Sequence, residues 1–249
     1  MIRRFGLAGL ALCLPALMGA SGSGMGHLRV INLVDGAPQI SVEMCAENSG
    51  ECRSLDIPAD GLTETLDLAP AVYRFSVTHA DGTTEPFSYG IAPDHEYGLA
   101  IYGLSSAKDK STLFARAKRF LGGLEVRAVN GFRVSHRMVT MAPGKADEPA
   151  SLRMANFSVG TVALQAGMET GEGTRAIGTA AYAGISGPLR TTDASGAIDV
   201  KPDGSDLVVA ETPLELPGGS STMIYASGMT DGEVRLVIDQ RVADKASPN

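Results

Sequence analysis

Beyond its opening segment this chain contains no uninterrupted apolar run of the roughly 18 residues that a membrane-spanning helix requires, so no helical anchor is expected in the body of the protein. Basic residues are also in deficit, 21 Lys and Arg against 28 Asp and Glu, which argues against a general nucleic-acid binder. Catalytic motifs are missing: there is no Gly-x-Ser-x-Gly elbow, no His-Glu-x-x-His and no Cys-x-x-Cys pair. The four histidines, His27, His79, His95 and His136, are scattered without paired ligand spacing and read as surface or turn residues. "PDHEY" sets Asp94, His95 and Glu96 side by side, but neighbours in a loop point apart and do not make a convergent site. "DASGAIDVKPDGSD" holds Asp193, Asp199, Asp203 and Asp206 without the register of a calcium-binding loop and reads as solvated turns. Asn156-Phe157-Ser158 matches a glycosylation sequon, but a place within a predicted strand weakens it. The expectation is a non-enzyme with no catalytic residue, cofactor or metal site.

What is present begins at the N-terminus. "MIRR" supplies a positive start, "FGLAGLALCLPALM" an apolar stretch broken by Pro15, and "GASGSG" the small residues that suit cleavage. Residues 1–22 are therefore expected to be a secretory signal peptide, with the remainder exported to the periplasm. Losing Arg3 and Arg4 leaves 19 basic against 28 acidic residues, a formal charge of −9. Cys13 leaves with the signal, and Cys45 and Cys52 remain in "MCAENSGECRS", either side of an Asn-Ser-Gly turn. Ile40, Val42 and Met44 alternate before the turn, and Leu55 and Ile57 after it. By parity both cysteines fall on the opposite face of a hairpin, where a disulfide is feasible in an oxidising compartment. A redox or metal-binding pair is the functional alternative.

The rest reads as β-structure. "VYRFSVTHADGTTEPFSYGI", "YGLAIYGL", "GTVALQAGM", "DLVVAETPLEL", "STMIYASGM" and "EVRLVIDQ" are strand-like phrases separated by Gly, Pro, Asp and Ser. Two of the phrases recur. "HLRVIN" at 27–32 returns as "SLRMAN" at 151–156, an offset of 124, and "YGLAIYGL" at 97–104 corresponds to "TMIYASGM" at 222–229, an offset of 125. A nearly constant offset indicates internal duplication. In the repeated first strand Leu28 and Val30, or Leu152 and Met154, face one side; Arg29 and Arg153 are read as solvated sheet positions. The expected fold is all-β, two small antiparallel β-sandwich domains at 27–110 and 151–241, with one short amphipathic helix between them, a linker at 142–150 and a flexible tail at 242–249.

The helix and a following hairpin occupy 111–141. In "STLFARAKRFLGGLE", Leu113, Phe114, Ala117, Phe120, Leu121 and Leu124 follow helical spacing, Ser111 is a suitable N-cap and Gly122 a suitable stop. "LEVRAVNGFRVSHRMVTM" then reads as a hairpin about Asn130-Gly131. The structural reading is a helix capping an open sandwich. The functional alternative is a basic surface of Arg116, Lys118, Arg119, Arg127, Arg133 and Arg137 that meets an anionic partner.

Taken together, "LRVIN", "LAPAVYRFSV", "IAPDHEYGLAIYG", "LRMANFSVGTVALQ" and "LELPGGSSTMIYASG", after a signal peptide, resemble the periplasmic alginate O-acetylation AlgF family. The same phrases are similar to secreted bacterial sandwiches of domain of unknown function 4397. The AlgF resemblance implies a non-catalytic periplasmic adaptor in exopolysaccharide O-acetylation. Its partners would be periplasmic acetyltransferases or a membrane-bound O-acyltransferase complex, with an anionic polysaccharide as a further candidate. The broader resemblance implies instead a secreted surface or glycan-binding adhesion module. An enzyme using His95 with a serine remote in sequence is a third hypothesis, which only spatial proximity could support.

Overall fold

The computed structural model describes residues 24–105, 132–142, 145, 147–160, 163–171, 173–192, 194–228 and 233–242. The expected signal peptide, the helix of 111–124, the Asn130-Gly131 turn and all of the tail but Val242 lie outside them.

The described chain is all-β. Its first half contains β1 (Gly26–Asp35), β2 (Gln39–Ala46), β3 (Cys52–Pro58), β4 (Leu66–Leu68), β5 (Ala71–His79), β6 (Gly82–Thr83), β7 (Phe87–Ile91), β8 (Glu96–Leu104) and β9 (Ser135–Met141). Its second half contains β10 (Ala150–Asn156), β11 (Ala163–Thr170), β12 (Gly173–Ala181), β13 (Gly184–Ile185), β14 (Leu189–Thr191), β15 (Ala194–Pro202), β16 (Ala210–Leu216), β17 (Ser221–Gly228) and β18 (Val234–Arg241). Each half is a sandwich. In the first, β4-β1-β8-β9 packs on β3-β2-β5-β6, with β7 also along β5; in the second, β13-β10-β17-β18, with β14 also on β10, packs on β12-β11-β15-β16.

Period-two alternation builds both cores. β2 buries Ile40, Val42, Met44 and Ala46 and turns Gln39 and Glu43 outward. Leu28, Val30, Phe75, Val77 and Leu99 complete the first core, and Leu152, Met154, Leu164, Ile198 and Ile224 occupy the second. The inward pairs Leu28/Val30 and Leu152/Met154 lie where the alternation puts them.

The register carries the duplication residue by residue. β1 runs parallel to β8 with Leu28 opposite Tyr97, and β10 runs parallel to β17 with Leu152 opposite Thr222, so the two steps are 124 and 125. Every other strand-to-strand ladder among the described residues is antiparallel; the isolated bridge of Leu104 with Arg133 is parallel. The parallel central pair is possible because a whole outer sheet forms between its two strands, giving the chain the long crossover that parallel neighbours need. β9, which falls in the segment set apart at 111–141, pairs along β8 and belongs to the first sandwich. Its repeat equivalent is β18: Met141 faces Glu96 as Arg241 faces Ser221. The halves differ between these strands, where residues 105–134 stand against 229–233. Gly103 (φ 121°) and Gly228 (φ 90°) are also equivalents; a side chain at either would collide with the carbonyl of Arg133 or Glu233 across the hairpin.

The inner sheets then pack on one another. β8 is buried along both faces except at its ends, and β17 throughout, because Ile31, Leu33, Ala100, Tyr102, Val139, Met141, Ala155, Phe157, Met223, Tyr225 and Val237 form a third core between the sandwiches. The result is four stacked layers. The two outer sheets face solvent in opposite directions.

Candidate functional site at the seam between the sandwiches

The seam is the one place where the described chain concentrates charge in its interior. At one end Arg29 on β1 donates from Nη1 to Asp239 Oδ1 on β18 at 2.6 Å, and from Nε to Thr65 Oγ1 at 2.9 Å. Arg241 on β18 donates to the other oxygen of Asp239 at 3.2 Å, to Glu96 Oε2 on β8 at 2.8 Å and to the Tyr97 carbonyl at 2.8 Å. The Asp239 side chain is fully buried and that of Arg241 6% exposed. Burial pulls the Arg241 guanidinium down, but Asp239 and Glu96 outweigh it and leave the group above its ordinary range. A fixed, doubly paired cation between two carboxylates is the consequence.

Arg29 was expected to be solvated, and the structure corrects that reading. Sheet parity placed it on the face away from the sandwich core, but that face is covered by the second sandwich, and a cation so covered must be paired. At the opposite end of the seam Arg235 on β18 pairs with Asp35 Oδ1 at 2.8 Å and Asp60 Oδ2 at 3.0 Å, while Ser227 Oγ donates to Asp60 at 3.1 Å.

Between these two clusters the seam is apolar and aromatic. Tyr102 stacks on Phe157 with centroids 4.3 Å apart, and Phe157 lies 6.2 Å from Tyr225. Among the described residues the Tyr225 hydroxyl is buried without a partner, and burial drives its pKa well above the ordinary phenol range. It closes against Gly98, where any Cβ would strike it. Gly98 thus sets how closely the inner sheets approach.

The other residues singled out from sequence are dispersed. Cys45 and Cys52 are opposite one another in the β2–β3 register and are bonded as a disulfide, at the far surface of the first sandwich. They lie with Glu43 in a potential metal-ligand group, but the bond occupies both sulfurs. Of the six basic residues, Arg116, Lys118, Arg119 and Arg127 lie outside the described residues. Arg133 is half-buried at the start of the β9 segment, and Arg137 on β9 donates to the Ala183 carbonyl of the second sandwich. His95 Nδ1 is 2.7 Å from the carbonyl of Pro93, two residues back in the same loop, and Glu96 is committed to Arg241. His136 stacks on Phe87 with centroids 3.5 Å apart, and its Nδ1 is 3.1 Å from the Tyr89 hydroxyl. Asp199 lies on β15, whereas Asp203 follows that strand. Asn156 and Ser158 are fully buried, which disposes of the sequon.

The seam residues Asp239, Arg241, Arg235, Asp35 and Asp60 went unnoticed in the sequence. A usable signal was present. "YGLAIYGL" and "STMIYASG" are apolar at both parities, the mark of a strand covered on both faces.

No family model and no curated protein sequence matches the chain. Among solved structures it is similar to the Bacillus anthracis TIE protein at 12% identity and TM-score 0.26, covering 85% of this chain and 34% of that one. It thus spans about a third of the TIE protein's length. It is similar to the family 26 carbohydrate-binding module of Eubacterium rectale Amy13K, solved with maltoheptaose, at 9% identity and TM-score 0.26, over 88% of this chain and 98% of that one. A putative adhesin from Bacteroides ovatus gives 6% identity and TM-score 0.20, over 89% and 96%. Overlaps this loose do not superpose one fold on another.

Proposed function

We propose that the protein is an exported, non-catalytic adaptor of exopolysaccharide O-acetylation, working in the periplasm beside acetyl-transfer proteins. The observation that carries this reading is the back-to-back stack. Two sandwiches joined through ion pairs, one of them on the fully buried Asp239, and a shared apolar core hold their outer sheets at a fixed separation, facing opposite ways. A rigid two-faced body suits the bridging of two partners, because little conformational freedom is left to lose on binding. The AlgF-like phrases supply the acetylation context, and the Cys45–Cys52 disulfide suits an oxidising compartment.

The test is the O-acetyl content of exported polysaccharide with and without the gene, at unchanged polymer yield. Acetylation should fall on deletion and return with the intact gene. Unchanged acetylation would refute the adaptor and leave the secreted glycan-binding or adhesion module as the reading to pursue.

A further inference from the structure

The duplication makes the outer sheets a controlled comparison, because their registers match row by row. Met44 faces Phe75 on β5 as Met168 faces Ile198 on β15, and in the next row Cys45 faces Arg74 as Glu169 faces Ala197. On the other side Cys45 faces Cys52 as Glu169 faces Thr174. In the second sandwich that row is joined by a hydrogen bond alone, Thr174 Oγ1 donating to Glu169 Oε1 at 2.9 Å. The equivalent hairpin therefore holds without a covalent bond. In the first sandwich the backbone closes the turn as well, with Gly50 N donating to the Ala46 carbonyl at 2.8 Å and Ala46 N to the Glu51 carbonyl at 2.9 Å. A disulfide across a loop so short and already closed has little chain entropy left to remove.

Its surroundings are those of a reactive bond. Cys52 is exposed and Cys45 half-buried, and Arg74 is exposed beside Cys45 on the same outward face. The cysteine pair and the cation occur together in one half, and all three are missing from the matching row of the other. A guanidinium at a cross-strand neighbour favours the thiolate that forms when the bond opens. Glu43, whose carboxylate lies within 4.8 Å of both sulfurs, opposes that charge, and Arg74 offsets it.

We infer that Cys45–Cys52 is an exchangeable redox bond, opened at Cys52 by a dithiol protein, with Arg74 stabilising the Cys45 thiolate as it leaves. The partner's thiolate attacks Cys52 Sγ, the S–S bond breaks, and its electron pair leaves on Cys45 Sγ to give a mixed disulfide. The partner's second thiol then attacks the partner's own sulfur and releases Cys52. Two electrons and two protons have passed to the cysteine pair, and the partner departs as a disulfide. The inference rests on the repeat and not on the acetylation reading, so either can fail without the other.

The experiment equilibrates the purified protein in mixtures of reduced and oxidised glutathione, quenches with acid and locates thiols and adducts by mass spectrometry. Oxidised and reduced protein should coexist across accessible glutathione ratios, with the earliest adduct on Cys52, and the reduced protein should keep its cooperative urea transition. Initial reduction rates with 2-mercaptoethanol then read the two charges. Arg74→Gln should slow opening about threefold, and Glu43→Gln should speed it by about the same factor. A bond that only staples the hairpin would stay oxidised in every glutathione mixture until urea unfolds the chain. That result, a first adduct on Cys45, loss of the folded state on reduction, or a rate that either substitution leaves unchanged would overturn the inference.

Discussion

The final residue of the repeated phrase is a fully buried asparagine, and its hydrogen bonds explain why the phrase occurs twice. Asn32 Nδ2 donates to the carbonyls of Ile57 and Pro58 at 3.1 Å each, and its Oδ1 accepts from Val34 N at 3.0 Å. Asn156 does the same with the Ala180 carbonyl at 3.1 Å and Ser158 N at 3.0 Å. Each ties the inner sheet of its sandwich to the end of an outer strand, satisfying backbone groups that the ladder leaves over. Asn32→Ala and Asn156→Ala should each cost about 2–4 kcal/mol in urea unfolding, because buried carbonyls and an amide are orphaned. His136 makes a prediction of the opposite chemistry. Burial lowers its pKa in the folded state below the usual 6.5, so in that window the unfolded chain binds more protons and stability rises with pH. Stability should therefore fall as pH drops from about 7 through 6.5 toward the folded value, and His136→Phe should flatten that slope. His79, lowered for the same reason, would account for a residual slope. A slope unchanged in His136→Phe would remove His136 as its source.

At the scale of elements, the strands that matter most are the parallel pairs at the centre of each inner sheet. Sequence alternation identified β1, β2 and β5 readily, because each has one face in a sandwich core. β8 and β17 were legible as strands, but not as the seam. A strand apolar on both faces says only that something covers the second face, and not which element does so. Gly98 on β8 decides how close the cover lies. Gly98→Ala should destabilise by about 1–3 kcal/mol through overpacking against the Tyr225 oxygen. Tyr225→Phe should relieve most of that cost, and on its own be neutral or stabilising, since it deletes an unpartnered buried hydroxyl. A double-mutant cycle on these two residues measures the contact, and zero coupling would contradict the packing described.

For the whole molecule, the seam predicts that two repeats unfold as one unit. The shared apolar core and the Arg29–Asp239–Arg241–Glu96 cluster would both be exposed if either sandwich opened alone. A single urea transition is expected. Asp239→Ala should lower stability by about 3–5 kcal/mol, because Arg29 and Arg241 are left covered with too little counter-charge. Two separate transitions in the unaltered protein would show that the sandwiches are independent. The all-β class, the duplication and its 124–125 step, the inward faces of the first strands and the hairpin disulfide were determined by the sequence alone. These follow from local alternation, turn residues and repeated phrases, each written within a few consecutive positions. The pairing of Arg29 with Asp239, 210 residues away, and the membership of β9 in the first sandwich were decided only by the tertiary structure. The physical reason is that a charged side chain on an outward face is solvated or buried according to what packs over it, and period-two alternation carries no information about that partner.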